Sequence, residues 1–291
     1  DEDLIETMKK LLVIFHVFYH DHVDYYIDRL RNIEGCQWDL LVTCSTCSED
    51  TEAKLKAFVP DVRIIEVENV GYDVWPFIKA LKIVDLAEYD YIMKLHTKNT
   101  KVPRWKANGL KMRGAQWRDA LVDALLRTPE QFLRCMNIFD KQPDTGMICS
   151  YELLVRLTNR RIEDLSMLRT EADRIGISTS GGKFCAGTMF IVKTACMQKI
   201  AHSDVNAESW PAYSPSHSKG TLAHVYERLL SLAVTDSGYR IRTLAARKRN
   251  VFPVFFHNLT GPFLKWIFTI DRYGEDGRKY MTILGIRIPL K

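Results

Sequence analysis

VENVGYDVWPFIKALKIVDLAEYDYIMKLHTKNT, residues 67–100, reads as a turn, a helix and a strand in succession. Asn69, Gly71 and Asp73 are turn formers at alternate positions, where the backbone must reverse after an extended run. PFIKALKIV follows with helical spacing, and Pro76 suits a first turn because the N–H it lacks would have no intrahelical partner there. YDYIMKLHTKNT then begins as an apolar strand and ends in a polar loop.

Working upstream, VRIIEVEN (62–69) and WDLLVTCST (38–46) are buried-type strands, and SEDTEAKLKAF between them has a cap-like Ser48 and helical composition. KKLLVIFHVFYHD (9–21) is a further strand, and DYYIDRLRNI after it is spaced like a helix. Strands and helices alternate with connections long enough for parallel crossovers, which predicts an α/β fold with an open, mostly parallel sheet flanked by helices. Ligands bind such sheets at the carboxyl ends of the strands. Here those ends carry His16 to Asp21, Thr43 to Ser48, Asn69 to Asp73 and His96 to Lys98.

Downstream, WRDALVDALLRTPEQFLRCMNIF is helical in spacing, GMICS is a strand, and a charged helix follows. GGKFCAGTMFIVKTACMQKI (181–200) passes through a tight AGT into a strand and a helix, with backbone approach to a ligand expected at the glycines. SWPAYSPSHSKGT (209–221) has the length of a lid, and LAHVYERLLSLAVTDSG after it is a helix.

The chain has 291 residues, 46% hydrophobic, enough for one large domain, placed at 1–245, with a basic aromatic segment at 246–291. No run of about 18 apolar residues occurs. The start DEDLIETMKK lacks the n- and h-regions of a secretory signal, so the expectation is a cytoplasmic protein, peripheral at most to the inner face of a membrane. Seven scattered cysteines fit a reducing compartment, and the Cys44–Cys47 pair lacks the second pair a zinc site needs. From Gly238 onward 11 Lys/Arg face 3 Asp/Glu. That end reads as a patch for anionic lipid or as a strand pair completing the domain, KYMTILGIRIPLK alternating well enough for the latter. Nucleic-acid binding is not expected, since no recognition-helix, RNP-like or KH-like pattern accompanies the basic residues.

Residues 67–100 resemble the signature block of the rhamnan synthesis protein F family, in which Asn-x-Gly-x-Asp-x-x-Pro-Phe precedes Tyr-Asp-x-Ile-x-Lys-x-His-Thr-Lys. CAGTMFIVK and HVYERLLSL resemble two later strings of that family, so the resemblance covers most of the chain from Val13 to Gly238. It implies a GT-A-like (Rossmann-like) glycosyltransferase that moves a hexose from a nucleotide-sugar to a lipid-linked glycan, with inversion. L-rhamnose from dTDP-rhamnose is one donor and a UDP- or GDP-sugar another. The reading from a different class is a non-catalytic nucleotide-sugar or carbohydrate-binding module of the same fold.

The GT-A pattern assigns His16, Tyr19 and Ser45 to the nucleotide, Asn69, Gly71 and Asp73 to the donor, and Gly187 and Thr188 to the acceptor side. Where that pattern has Asp-x-Asp to hold Mn²⁺ or Mg²⁺, this sequence has His96, Thr97 and Lys98. His96 and Lys98 then serve as fixed cations for the departing diphosphate, leaving a divalent metal without its usual ligands. Lys94 either shares their face or lies on the exposed side of an edge strand. Glu227 is the candidate general base. Its neighbour is Arg228 instead of a second acid, which also reads as a surface ion pair, and Asp236 is the fallback. His257 is a candidate phosphate or metal contact.

Overall fold

The computed structural model of the chain describes residues 8–101, 105–157, 162–180, 182–211, 221–272 and 279–290. The alternating first third becomes β1 (Lys10–Val17), α1 (Val23–Leu30), β2 (Gln37–Cys44), α2 (Glu49–Phe58), β3 (Arg63–Glu66), α3 (Val74–Ile83) and β4 (Tyr91–His96). Ser48 caps α2 as its residue type predicts, its hydroxyl accepting from Thr51 N. After β4 come β5 (Trp105–Ala107), β6 (Leu110–Met112), α4 (Gly114–Leu126), α5 (Pro129–Lys141), β7 (Thr145–Ser150), β8 (Leu154–Arg156) and α6 (Ile162–Ile175). Then follow β9 (Lys183–Cys185), β10 (Phe190–Lys193), α7 (Gln198–Ala201), α8 (Leu222–Asp236), β11 (Arg240–Leu244) and α9 (Lys248–Ile267). Strands β12 (Phe268–Arg272), β13 (Lys279–Ile283) and β14 (Ile286–Pro289) end the chain.

Seven strands form the main sheet in the order β11-β7-β10-β4-β1-β2-β3. It is the expected mostly parallel sheet with helices on both faces; β10 alone runs against both of its neighbours. The inner parallel strands β1, β4 and β7 are buried on both faces, which is why they read as nearly unbroken apolar runs. Alternation along β4 divides the core in two. Tyr91, Met93 and Leu95 join the layer of Tyr26, Leu121, Phe132 and Phe139, on α1, α4 and α5. Ile92 faces the opposite layer, with Phe77 and Ile78 of α3 and Leu229 and Leu230 of α8. Lys94 and His96 follow Ile92 on that second face.

The structure chooses between the two placements open to Lys94. Lys94 is not on an edge: β4 lies between β10 and β1, and Lys94 is 1% exposed. The C-terminal strand pair forms where the alternation of KYMTILGIRIPLK predicts it. It is β13 and β14, paired with β12 in a separate antiparallel sheet, and the aromatic run before it is the 20-residue helix α9. Of the lid-like loop at 209–221, residues 212–220 lie outside the described residues.

Candidate active site

Two turns face each other above the end of β4. In the first, Gly71 and Tyr72 both have positive φ, 64° and 55°. A Cβ on Gly71 would lie 2.7 Å from Trp75 Cβ and 2.8 Å from the Trp210 ring, so glycine is required there by space as well as by φ. The second turn repeats the device, with Gly187 at 87° and Thr188 at 47°. A β-branched residue in this region is an outlier that the surroundings must hold in place.

Asp73 supplies that hold. It sits at the N-cap position of α3 without capping it, its side chain turned to the sheet. Thr188 Oγ1 donates to Asp73 Oδ2 at 2.5 Å, and Lys94 Nζ donates to the same oxygen at 2.5 Å and to Thr188 Oγ1 at 2.8 Å. Removing two ions from water costs several kcal/mol each, so Lys94 is tolerable here because an opposite charge and a hydroxyl receive its protons. Burial alone would raise the Asp73 carboxyl, but the charges beside it, His96 when protonated and the Lys94 and Lys98 ammonium groups, hold it well below the usual carboxylate range. Among the described residues its other oxygen, Oδ1, makes no hydrogen bond, and the side chain remains 20% exposed.

His96 is the partner of His16 across β1 and β4, and both imidazoles are buried. His96 Nε2 lies 2.9 Å from Gly187 O and 3.6 Å from Asp73 Oδ2, and Nδ1 lies 3.2 Å from Thr97 O. Burial, reinforced by Lys94 and Lys98, lowers its pKa to about 3 against the pull of Asp73. His96 is therefore a neutral donor to Gly187 O near pH 7, not the fixed cation expected from the sequence. Burial likewise lowers His16 to about 4, and its Nδ1 lies 3.0 Å from Thr43 Oγ1.

Thr97 ties two loops together, its hydroxyl accepting from Phe18 N and Tyr19 N at 2.9 Å each. The fixed positive charge is left to Lys98, half-buried with Nζ 3.8 Å from the centre of the Trp117 ring. Burial lowers its pKa, while Asp73 and Glu227 both raise it, which places all three charges within one electrostatic neighbourhood.

Glu227 is half-buried on α8, and its Oε1 accepts from Gly187 N at 2.7 Å. The Gly187 residue thus holds His96 through its carbonyl and Glu227 through its N–H. Burial raises the Glu227 carboxyl, and Asp73 adds to this against the lowering by Gly187 N–H and Lys98. A carboxylate raised toward neutrality beside a fixed cation suits proton acceptance. Arg228 donates to His224 O and lies over the Phe184 ring.

A family model described as Rhamnan synthesis protein F matches residues 1–239. The chain belongs to that family. An uncharacterized protein, WxcX, of Xanthomonas campestris pv. campestris is 25% identical over 246 residues, covering 80% of this chain and 32% of the relative. The chain therefore spans about a third of the length of the curated relatives it matches. Among solved structures, S. aureus TarS 1-349 in complex with UDP-GlcNAc has a TM-score of 0.42 at 11% identity, over 82% of this chain and 57% of that one. The mannosyltransferase PcManGT of Pyrobaculum calidifontis, in complex with GDP-Man and Mn²⁺, has a TM-score of 0.39 at 14% identity, over 92% and 65%.

In this member of the rhamnan synthesis protein F family, the sequence-predicted residues divide into two groups. Asp73, His96, Lys98, Gly187, Thr188 and Glu227 come together, with Gly71 shaping the turn beneath them. Asn69 is exposed at the start of that turn, and the Tyr19 backbone is tied to the end of β4 through Thr97. Ser45 stands at the end of β2 with its hydroxyl buried and unpartnered among the described residues.

Asp236 does not join them. It is nine residues beyond Glu227 on α8, about 14 Å along the axis, and is occupied by Lys199 Nζ and Ser178 N. His257 lies on α9 beside Gly109 of the β5–β6 turn, outside the hydrogen-bond network of Asp73. Lys94, which the sequence left between a shared face with His96 and Lys98 and an exposed edge, takes the shared face and is bonded to Asp73. The signal was its alternation with His96 and Lys98, which only a central strand turns into burial.

The family pattern's divalent cation does not fit the end of β4. Hard cations need several oxygen ligands, whereas here two ammonium groups, Lys94 and Lys98, flank Asp73, whose Oδ2 is already committed. Among the described residues no group of three His, Cys, Asp or Glu is placed to hold a metal. The Cys44 thiol is pushed up to about 12, chiefly by burial, which keeps it protonated and a poor zinc ligand or nucleophile.

Proposed function

We propose that this chain is a GT-A-type glycosyltransferase that moves a hexose from a nucleotide-sugar to a hydroxyl of a glycan, with inversion and with lysine charge in place of a divalent cation. The observation that carries the reading is the pairing of opposite roles around Gly187: a raised carboxyl, Glu227, and a cation, Lys98, sharing one neighbourhood with Asp73. Family membership supports the same class of chemistry.

In this mechanism Asp73 Oδ1 accepts a hydroxyl of the donor sugar or ribose while Lys94 and Thr188 keep the carboxylate from turning. Glu227 takes the proton of the acceptor hydroxyl as that oxygen bonds to the anomeric carbon from the face opposite the diphosphate. The bond from the anomeric carbon to the diphosphate oxygen breaks, and the charge left on the diphosphate is met by Lys98. L-rhamnose from dTDP-rhamnose is the donor proposed, and a lipid-linked glycan the acceptor.

Calorimetry with dTDP-rhamnose, UDP-glucose and GDP-mannose, in EDTA and in Mn²⁺, tests this on the wild type and on Asp73→Ala and Lys98→Ala. One donor should bind in EDTA and both variants should lose it. Binding only with Mn²⁺ would overturn the lysine-charge reading. Donor binding with no turnover on any glycan acceptor would turn the reading to a binding module.

A further inference from the structure

Helix α9 is amphipathic the wrong way round. Asn250, Val254, Asn258 and Gly261, three to four residues apart, form one side, where exposure is lowest and Val254 is fully buried. Phe252, Phe255, Phe256, Leu259, Phe263 and Trp266 share the opposite side by the same spacing. All six are more than half exposed, from 52% for Trp266 to 73% for Phe252. They are not scattered, since Phe252 stacks on Phe256 and Phe263 on Trp266, each pair at 6.2 Å.

The sheet that follows extends the pattern. Phe268, Ile283 and Ile286 are successive cross-strand partners, as are Ile270, Met281 and Ile288, so these six share one face. Five of them are exposed, while Thr282 on the other face is buried. The sheet is fixed to the helix end by Leu284 N to Ile267 O and Gly285 N to Trp266 O.

Charge indicates what covers these faces. Residues 246–291 hold nine Lys/Arg against three Asp/Glu, whereas the other 245 residues hold 32 against 33. Arg247, Lys248 and Arg249 open α9, Lys265 lies in its last turn, and Lys279 and Arg287 lie on the sheet. A second copy applied to this face would bring like charges together. An anionic surface with an apolar interior meets both features at once. No helix among the described residues is long and apolar enough to cross a membrane, so the mode is lying on the surface.

We infer that α9 and the β12–β14 sheet form a platform that docks this protein on a bilayer bearing anionic headgroups. The platform leaves the main sheet at the carboxyl end of β11, which runs parallel to β4 through β7, so it starts from the end of the sheet that carries Asp73 and Glu227. The inference does not rest on the transferase reading.

The test is flotation of the whole chain with phosphatidylcholine vesicles, with and without phosphatidylglycerol, beside light scattering for oligomeric state. The wild type should float only with phosphatidylglycerol, and less so as salt is raised. Phe256→Glu with Phe263→Glu should reduce binding about tenfold or more, and Lys248→Glu with Arg249→Glu several-fold, with melting temperature unchanged in both. Failure of the wild type to float, or flotation of the double phenylalanine variant like the wild type, overturns the proposal. So does a wild-type dimer that the phenylalanine substitutions dissociate and that binds no vesicle, which would assign the face to a second copy.

Discussion

The centre around Asp73 and the platform of α9 depart from the ordinary inside-out rule in opposite directions. One takes ionised groups out of water, and the other leaves six large apolar side chains of one helix in it. Both are the informative kind of exception, and they differ in what holds them. The Asp73 centre is closed by partners within the chain, so a single loss leaves a charge stranded. The platform has nothing of its own to lose, so substitutions there should register only in what it binds.

The largest effect should come from Lys94→Ala, which leaves Asp73 without its ammonium partner and costs about 3–5 kcal/mol by denaturant unfolding. Asp73→Asn in the same chain should recover part of that, because the stranded charge is then gone. Glu227→Gln should lower kcat by about 10²–10⁴ while leaving donor binding nearly unchanged. Since the base proposed here acts deprotonated and the pKa of Glu227 is raised, the acidic limb of the wild-type rate profile should lie above the ordinary glutamate value of 4.5 and vanish in the variant. Gly71→Ala should cost about 2–4 kcal/mol, from positive φ and from overlap with Trp75 and Trp210. Phe256→Gln should stay within about 0.5 kcal/mol of wild type, as for exposed positions that touch no special feature. A large loss there would erase the contrast by showing that the platform is part of the core.

The parallel half of the fold was legible because strands buried on both faces leave continuous apolar runs, as in KKLLVIFHV and WDLLVTC. The insertion of β10 between β4 and β7 was not, since strand order is a property of the packed sheet and no local string encodes it. The same gap left Lys94 open between two placements: an alternating Lys-x-His looks alike on an edge and in the middle. Asp73, Lys98 and Glu227 were legible through family strings, yet the charge state of His96 was not, because burial decides it. In α9 the stripe from Phe252 to Trp266 was present at helical spacing, but Pro253 and Pro262 within it argue against a helix when read alone.

Glu152 gives the two regions a common dependence. Fully buried beyond β7, its carboxylate accepts from Ser150 Oγ, Ala246 N, Arg247 N and Asn250 Nδ2 at 3.1–3.2 Å, so three donors at the root of α9 and one at the end of β7 converge on one side chain. An amide in its place would turn an N–H toward N–H groups. Glu152 is thus the bearing on which α9 is mounted, joining the first turn of that helix to the end of a main-sheet strand.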